Sequence, residues 1–356
     1  MNLVDLNDYN FDFVEDVLNC AFEIKNNCVD FSKLMLGKVM GSLFFEASTR
    51  TQFSFQSAMY RMGGQCLCFS NIVKSSLAKG ESFSDTVKTM SMYSDFIVIR
   101  HKCDGAARAA SIVAKCPVIN AGDGVHLHPT QTLIDLFTIK ELKNTLEGLV
   151  VGFCGDLKFS RPVNSLVLEL CKKFCNKFIF ISTNEQKISN YLSDFLKKFD
   201  IEFLENTSLE AVISKLDVLY MTRVQKERFQ DVADYEKQKS RFILNNKILN
   251  SAKSDLSILH PLPRVDEISV EVDCDPRAAY FLQILNGVFV RMALISKILS
   301  SFENYNIVKL SKKIKIEKVC SNANCISHFD STLPRLFNSV FGDGLFCFYC
   351  DKKVSV

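Results

Sequence analysis

The chain contains no tryptophan, carries almost no net charge and has no long apolar run. A formal net charge of +3 over 356 residues offers no bulk basicity for a nucleic-acid partner. The longest uncharged apolar stretch, Ala278 to Val290, stops at Arg291 and is too short to span a bilayer. The start lacks the basic residues of a secretory leader and carries Asp5, Asp8, Asp12, Glu15 and Asp16 instead. Internal repeats and low-complexity segments are missing as well. These absences leave a soluble, cytoplasmic globular protein as the expectation, with neither nucleic acid nor membrane as a partner. The missing tryptophan goes with 30 phenylalanines, which nothing in the sequence explains.

What is present fits that class. Hydrophobic residues make up 47% and charged residues 23%, a usual globular mix. The length suggests about two domains and a remainder. Of the 14 cysteines, ten are scattered from Cys20 to Cys274, many in apolar runs such as Val151–Cys154. A reducing cytosol would keep them as free, small, buried hydrophobes. The other four, Cys320, Cys325, Cys347 and Cys350, form two close pairs.

Short apolar runs alternate with helix-period stretches over the first 300 or so residues. Strands are expected at Val39–Phe45, Gln65–Phe69, Phe96–Arg100, Pro117–Asn120, Leu149–Cys154, Phe178–Ser182, Asp217–Met221 and Leu256–Leu259. Apolar strands separated by helices mean parallel sheets covered on both faces. The expected fold class is therefore α/β, with two doubly wound parallel-sheet domains. Beyond the expected helix Tyr280–Leu299 the pattern changes. Ile307–Val319 alternates like a half-buried strand and leads into the cysteine pairs, so a small β-rich third domain is expected. The boundaries read as 1–142 (completed by the helix near 280–303), 143–280 and 305–356.

Ligands of open parallel sheets bind beyond the carboxyl ends of the strands. After the first strand comes Glu46-Ala47-Ser48-Thr49-Arg50-Thr51 and a helix start, an arrangement of free N–H groups, hydroxyls and a guanidinium suited to an anion. Helix capping alone would also explain the hydroxyls. The third strand ends in Arg100-His101, and His128-Pro129-Thr130-Gln131 opens a helix after the fourth. In the second half, Gly155–Arg161, Thr222-Arg223-Val224-Gln225 and His260-Pro261-Leu262-Pro263-Arg264 follow strands. These strand ends, each offering Arg or His, describe a cleft lined for anions. The loop Ser75–Glu81, with Ser76 and Lys79, says little by itself.

Together, Phe45–Thr51, His128–Gln131, Thr222–Gln225 and His260–Arg264 resemble the aspartate carbamoyltransferases. Ornithine carbamoyltransferases share the first two motifs but typically place Cys where this chain has Pro261. The resemblance covers residues 1–303 and implies carbamoyl phosphate and L-aspartate as substrates. It places carbamoyl phosphate on Ser48, Thr49, Arg50, Thr51, Arg100 and Gln131, with Thr51, Arg100 and His128 polarising the carbamoyl C=O. It places the two carboxylates of aspartate on Arg161, Arg223 and Gln225, and the amino groups on the backbone carbonyls of Leu262 and Pro263, across a cis bond. Ser76 and Lys79 would reach a neighbour's site, implying a homotrimer with shared sites. No catalytic cofactor is implied. Gln52, where many relatives have Arg, and the single Lys of the Lys79 loop are the visible departures.

Four thiolates spaced Cys320-X4-Cys325 and Cys347-X2-Cys350 suit one structural, tetrahedral Zn²⁺ per chain. The tail resembles the zinc domain of the aspartate carbamoyltransferase regulatory chain, without the nucleotide-binding domain that precedes it there. By that resemblance it docks on catalytic subunits and bridges two trimers. A zinc-ribbon nucleic-acid binder, suggested by Lys309, Lys312, Lys313, Lys315 and Lys318, is the competing reading of the tail. A transcarbamoylase acting on another amino acid competes for the body.

Overall fold

The computed structural model describes residues 1–27, 29–69, 76–158, 160–224, 241–300, 313–315, 318–340 and 344–354. The chain divides into two compact units. Met1–Leu133 and Val288–Val356 make the first, and the continuous stretch Ile134–Gly287 makes the second.

In the first unit, helix α1 (Phe11–Asn26) precedes a parallel sheet of β1 (Val39–Phe44), β2 (Gln65–Cys68), β3 (Phe96–His101) and β4 (Val118–Asp123), ordered β2-β1-β3-β4. Helices α2 (Thr49–Arg61), α3 (Phe83–Tyr93) and α4 (Ala106–Val113) connect the strands, and α5 (Pro129–Lys143) follows β4. Phe96, Ile97 and Val98 are wholly buried, which is why β3 reads as a continuous apolar run and not an alternating one. Leu3 extends the sheet: its N–H donates to Val118 O at 2.8 Å, and its carbonyl accepts from Asn120 at 2.8 Å. Helix Tyr280–Ser300 is long and apolar enough to cross a membrane, but 67% of its most apolar stretch is buried in protein. Val290, Met292, Ala293, Leu294 and Ile295 are in the core. Its Arg291 lies over the Phe55 ring at 4.8 Å and donates to Ser54 Oγ at 2.8 Å.

The second unit is a five-stranded parallel sheet, β7-β6-β5-β8-β9, of β5 (Val150–Cys154), β6 (Lys177–Ile181), β7 (Phe203–Asn206), β8 (Val218–Met221) and β9 (Ser257–Leu259). Helix α6 (Arg161–Cys171) joins β5 to β6, and α7 (Asn190–Lys198) precedes β7. The Phe153, Phe178 and Phe180 rings stack across β5 and β6, with centroids 5.8 and 6.2 Å from the Phe180 ring. The buried Asp135 carboxylate accepts from Tyr220 Oη at 2.9 Å and Gln283 Nε2 at 2.6 Å, so its desolvation is offset.

The tail forms a small antiparallel sheet of β10 (Lys313–Lys315), β11 (Leu336–Val340), β12 (Gly344–Cys347) and β13 (Lys353–Val354). The expected strand over Ile307–Val319 is realised as Lys313–Lys315. Lys318 and Val319 lie beyond it, and residues 307–312 and 316–317 are outside the described residues. Among the described residues, the tail's apolar side chains pack into a shared cluster. Ile326, Leu333, Phe337, Phe348 and Tyr349 share one apolar cluster with Cys103, Ala106, Ala107 and Ala110, around the start of α4. Gly105 permits this closeness. Its φ is +80°, and a Cβ there would meet the Tyr349 backbone at 2.5 Å. Gly105→Ala is therefore expected to lower stability by roughly 1–3 kcal/mol, measured by denaturant unfolding, because backbone must shift to admit one methyl group. An unchanged midpoint would mean that the tail does not press on this position.

The expectation of buried cysteines needs correcting. Cys20, Cys103 and Cys154 are buried, but Cys66, Cys116 and Cys171 are half-buried, and Cys68, Cys175 and Cys274 are exposed. Edge strands and turns after helices show one side to water, so an apolar neighbourhood in sequence does not guarantee burial.

Candidate functional site

In the first unit the turn after β1 runs into α2. Ser48 precedes the helix, and its Oγ donates to Thr51 Oγ1 at 3.0 Å and accepts from no backbone N–H of the helix. The first-turn N–H groups thus keep no side-chain cap from Ser48. Thr49 and Arg50 are exposed, Ser48 half-buried and Thr51 buried. A helix start of this kind favours an anion through its N–H groups and its dipole.

Arg100 reaches the same turn from the end of β3, which pairs with β1 through Phe44 and Arg100. Its Nη2 lies 3.1 Å from Glu46 Oε2, and its Nη1 donates to Ala121 O at 3.2 Å. Arg100 Nε is buried with no hydrogen-bond partner among the described residues. Such an orphaned donor is costly unless a ligand satisfies it. His128, buried at the start of α5, meets Arg100 at Gly122. A Cβ on Gly122 would sit 2.7 Å from Arg100 Nη1 and 3.1 Å from His128 Cδ2. Gln131 is half-buried one turn further along. The first unit thus gathers Ser48, Thr51, Arg100 and His128. His101, by contrast, is a packing residue. It lies edge-on to Phe45 and Phe83, its Nδ1 accepts from Cys103 N–H at 2.9 Å, and burial pushes it down to about 4.

In the second unit β5 pairs with β8 through Cys154 and Met221, so the loops that follow lie side by side. Thr222 Oγ1 donates to Cys154 O at 3.1 Å, and the positive φ of Gly155 lets Thr222 O approach within 2.2 Å of where a Cβ would stand. Arg161 opens α6 and Arg223 follows β8; both are half-buried. Gln225 is outside the described residues. After β9, the Leu262 N–H donates to His260 Nδ1 at 2.7 Å, so the ring proton sits on Nε2, facing Glu267 Oε1 at 2.8 Å. Burial opposes charge on Glu267, yet hydrogen bonds from His260 and backbone N–H groups hold its carboxyl below the usual range. Leu262–Pro263 is cis, as expected.

The four tail thiols converge. Cys320 and Cys350 sulfurs are 3.5 Å apart, Cys325 and Cys347 sulfurs 3.8 Å, and all four lie within 4.8 Å of one another. A tetrahedral ion with bonds of about 2.3 Å to thiolates needs sulfurs about 3.8 Å apart. Asn322 N–H and Ser327 Oγ donate to Cys320 and Cys325 sulfurs at 3.4 and 3.2 Å, which favours thiolates. This donor set fits a metal ion.

Sequence reasoning missed the residues that join the tail to the body. Arg108 of α4 donates from Nη1 to both Asp351 oxygens at 2.8 Å and to Phe348 O at 3.0 Å. Burial opposes charge on His126, but Asp123 and Asp351 on its two sides push it up to about 10. The one available signal was a lone Arg in the run Ala106-Ala107-Arg108-Ala109-Ala110.

Fold and site define an α/β protein of two parallel-sheet units, each presenting cations and hydroxyls at strand carboxyl ends to anionic ligands. The profile "Aspartate/ornithine carbamoyltransferase, carbamoyl-P binding domain" matches residues 1–141, and "Asp/Orn binding domain" matches 147–298. The chain belongs to the aspartate/ornithine carbamoyltransferase family. It is 52% identical to the aspartate carbamoyltransferase catalytic subunit of Finegoldia magna over 298 residues, covering 84% of this chain and 97% of that one. Identity to the Clostridium novyi catalytic subunit is 51% over the same shares. Among solved structures, the catalytic subunit of M. jannaschii aspartate transcarbamoylase superposes with a TM-score of 0.79 at 41% identity, over 84% of this chain and 97% of that one. The Trypanosoma cruzi aspartate transcarbamoylase, in complex with carbamoyl phosphate and aspartate, gives 0.79 at 33%, over 84% and 97%.

Proposed function

We propose that this protein is an aspartate carbamoyltransferase, transferring the carbamoyl group of carbamoyl phosphate to L-aspartate to give N-carbamoyl-L-aspartate and phosphate. The product serves de novo pyrimidine (UMP) synthesis, in the cytoplasm. The observation that carries the reading is the meeting of Arg100 and His128 at Gly122, beside the Ser48–Thr51 helix start. In this reading Ser48, Thr49, Arg50, Thr51 and Gln131 hold the phosphate. Thr51, Arg100 and His128 polarise the carbamoyl oxygen. The aspartate amine attacks the carbamoyl carbon, negative charge grows on that oxygen, and phosphate leaves with the bonding electron pair and takes up the proton that the amine gives up. Fixed donors stabilise the growing charge. Arg161 and Arg223, with Gln225, hold the aspartate carboxylates, because two carboxylates favour two guanidinium forks.

The activity is tested with carbamoyl phosphate and either aspartate or ornithine as acceptor. Aspartate is the expected substrate, and a preference for ornithine would overturn the reading. Arg223→Ala is expected to raise the aspartate KM about tenfold to a hundredfold, the worth of one lost charged hydrogen bond. The carbamoyl phosphate KM should hold. Equal changes in both would place Arg223 elsewhere.

Zinc is the ion proposed for the cysteine cluster, on the strength of its all-thiolate, near-tetrahedral donors. A homotrimer is proposed too. Phe53 and Tyr60 of α2, Leu67 of β2 and Leu36 are exposed apolar side chains that a second copy would cover. Ser76 and the exposed Lys79 would then serve a neighbour's site. Bridging of two trimers would use a face of the tail other than the one packed on its own chain.

A further inference from the structure

We propose that the tail is a clasp that sets the active-site loops of its own chain, with Asp104 and Asp351 as its positioning residues. The inference rests on the carbamoyl-phosphate site read above, and it assigns that site a support that lies some 220 residues away in sequence (the contacts span 218 to 243 positions).

Each cysteine pair of the tail grips one of the two loops that adjoin the polarising groups, the one after Arg100 and the one before His128. The first pair holds the loop after β3. Asp104 N–H donates to Asn324 O at 3.0 Å, and Ile326 N–H donates to Asp104 O at 3.0 Å. Asn322 Nδ2 donates to Asp104 Oδ2 at 2.9 Å, and Asn324 Nδ2 donates to Lys102 O at 3.1 Å. Arg100 lies four residues before Asp104. The carboxylate then passes the constraint on: Asp104 Oδ1 accepts from Val125 N–H at 2.8 Å, three residues before His128. Gly124 N–H donates to His101 O at 2.9 Å and closes the link between the loops.

The second pair holds the loop after β4. Asp351, next to Cys350, takes Arg108 Nη1 at 2.8 Å and His126 Nε2 at 3.0 Å. The other nitrogen of His126 faces Asp123 Oδ2 at 3.4 Å. Asp123 in turn accepts from Gly105 N–H at 2.8 Å, Asn120 Nδ2 at 3.0 Å and Leu127 N–H at 3.2 Å. Arg108 is 5% exposed and Asp123 2%, so these inner charges are held in a largely dry setting, while the Asp351 side chain reaches them from a partly solvated position at 43%. None of Asp104, His126, Arg108 or Asp351 is assigned to touch substrate. Their effect reaches the reaction only by fixing where Arg100 and His128 stand, and misplacement of such groups by an ångström is costly.

The test uses the full-length protein carrying Asp351→Ala, with Asp351→Asn as a milder second variant should the first fail to fold. Steady-state kinetics are measured for each substrate separately. The expected result is a carbamoyl phosphate KM raised about tenfold to a hundredfold, with the aspartate KM within about twofold, since only the first-unit loops are released. A folded variant that melts earlier but keeps both KM values would make the tail a purely structural appendage and overturn the proposal. Wild-type turnover reports on the functional reading independently. If the wild type does not turn over these substrates, binding of inorganic phosphate by calorimetry reads the clasp: weaker binding by the variant supports it, and equal binding overturns it.

Discussion

Arg50→Ala is expected to lower turnover by about two to three orders of magnitude, the usual cost of one preorganised charge-stabilising donor. Arg50 is the second residue of α2 and is exposed, so its truncation leaves the buried face of that helix, Thr51, Ser54, Phe55, Ala58 and Met59, in place. The variant should therefore fold and melt as the wild type does. Its guanidinium is one of few groups at the β1–α2 turn able to offer two parallel N–H donors to a phosphate. Near-normal turnover in a folded variant would remove the β1–α2 turn from the phosphate site. Loss of turnover together with loss of fold would point to a structural role instead.

Cys347→Ala is expected to abolish metal binding and to unfold the tail. Structural zinc contributes on the order of 10 kcal/mol or more to small four-ligand modules, and the tail has too little buried surface to fold without it. Elemental analysis should give one zinc per wild-type chain and close to none in the variant. Limited proteolysis should then cut between residues 318 and 354 while the rest of the first unit and the second unit persist. Light scattering in parallel reports the assembly state with and without an ordered tail. Freshly purified wild type free of metal, or a variant as resistant to protease as the wild type, would sink the metal-staple reading.

The parallel sheets were legible because their strands are buried on both faces. Runs such as Phe96–Ile99 and Phe178–Ile181 can be little else, and the structure shifts their ends by only a residue or two. The expected fourth strand moved furthest, since Ala121 to Asp123 carry on the ladder in spite of a glycine at 122. β7 escaped notice because it is an edge strand of four residues with Leu204 exposed and Glu205 in its middle. α4 was missed because five of its eight residues are buried, which erases the polar face that a period of 3.6 needs. The site residues were readable as motifs, since a strand end followed by hydroxyls and Arg is a local pattern. Their supports were not. Asp104, His126 and Asp351 act through partners more than 200 positions away or through backbone N–H groups, and neither leaves a mark in sequence.

Arg108 also joins two segments of the first unit that are far apart in sequence. Its Nη2 lies 3.4 Å from Asp5, and its Nη1 holds Asp351 at 2.8 Å. On a ribosome, the second unit, an uninterrupted stretch, is complete once residue 287 has emerged. The first unit, begun earlier, must wait for the segment after residue 287. Its contacts are long in sequence, so closure comes late and is slow. A chain that stops between residue 287 and the Cys347–Cys350 pair would thus have one finished half and one half whose buried arginine still lacks its partner.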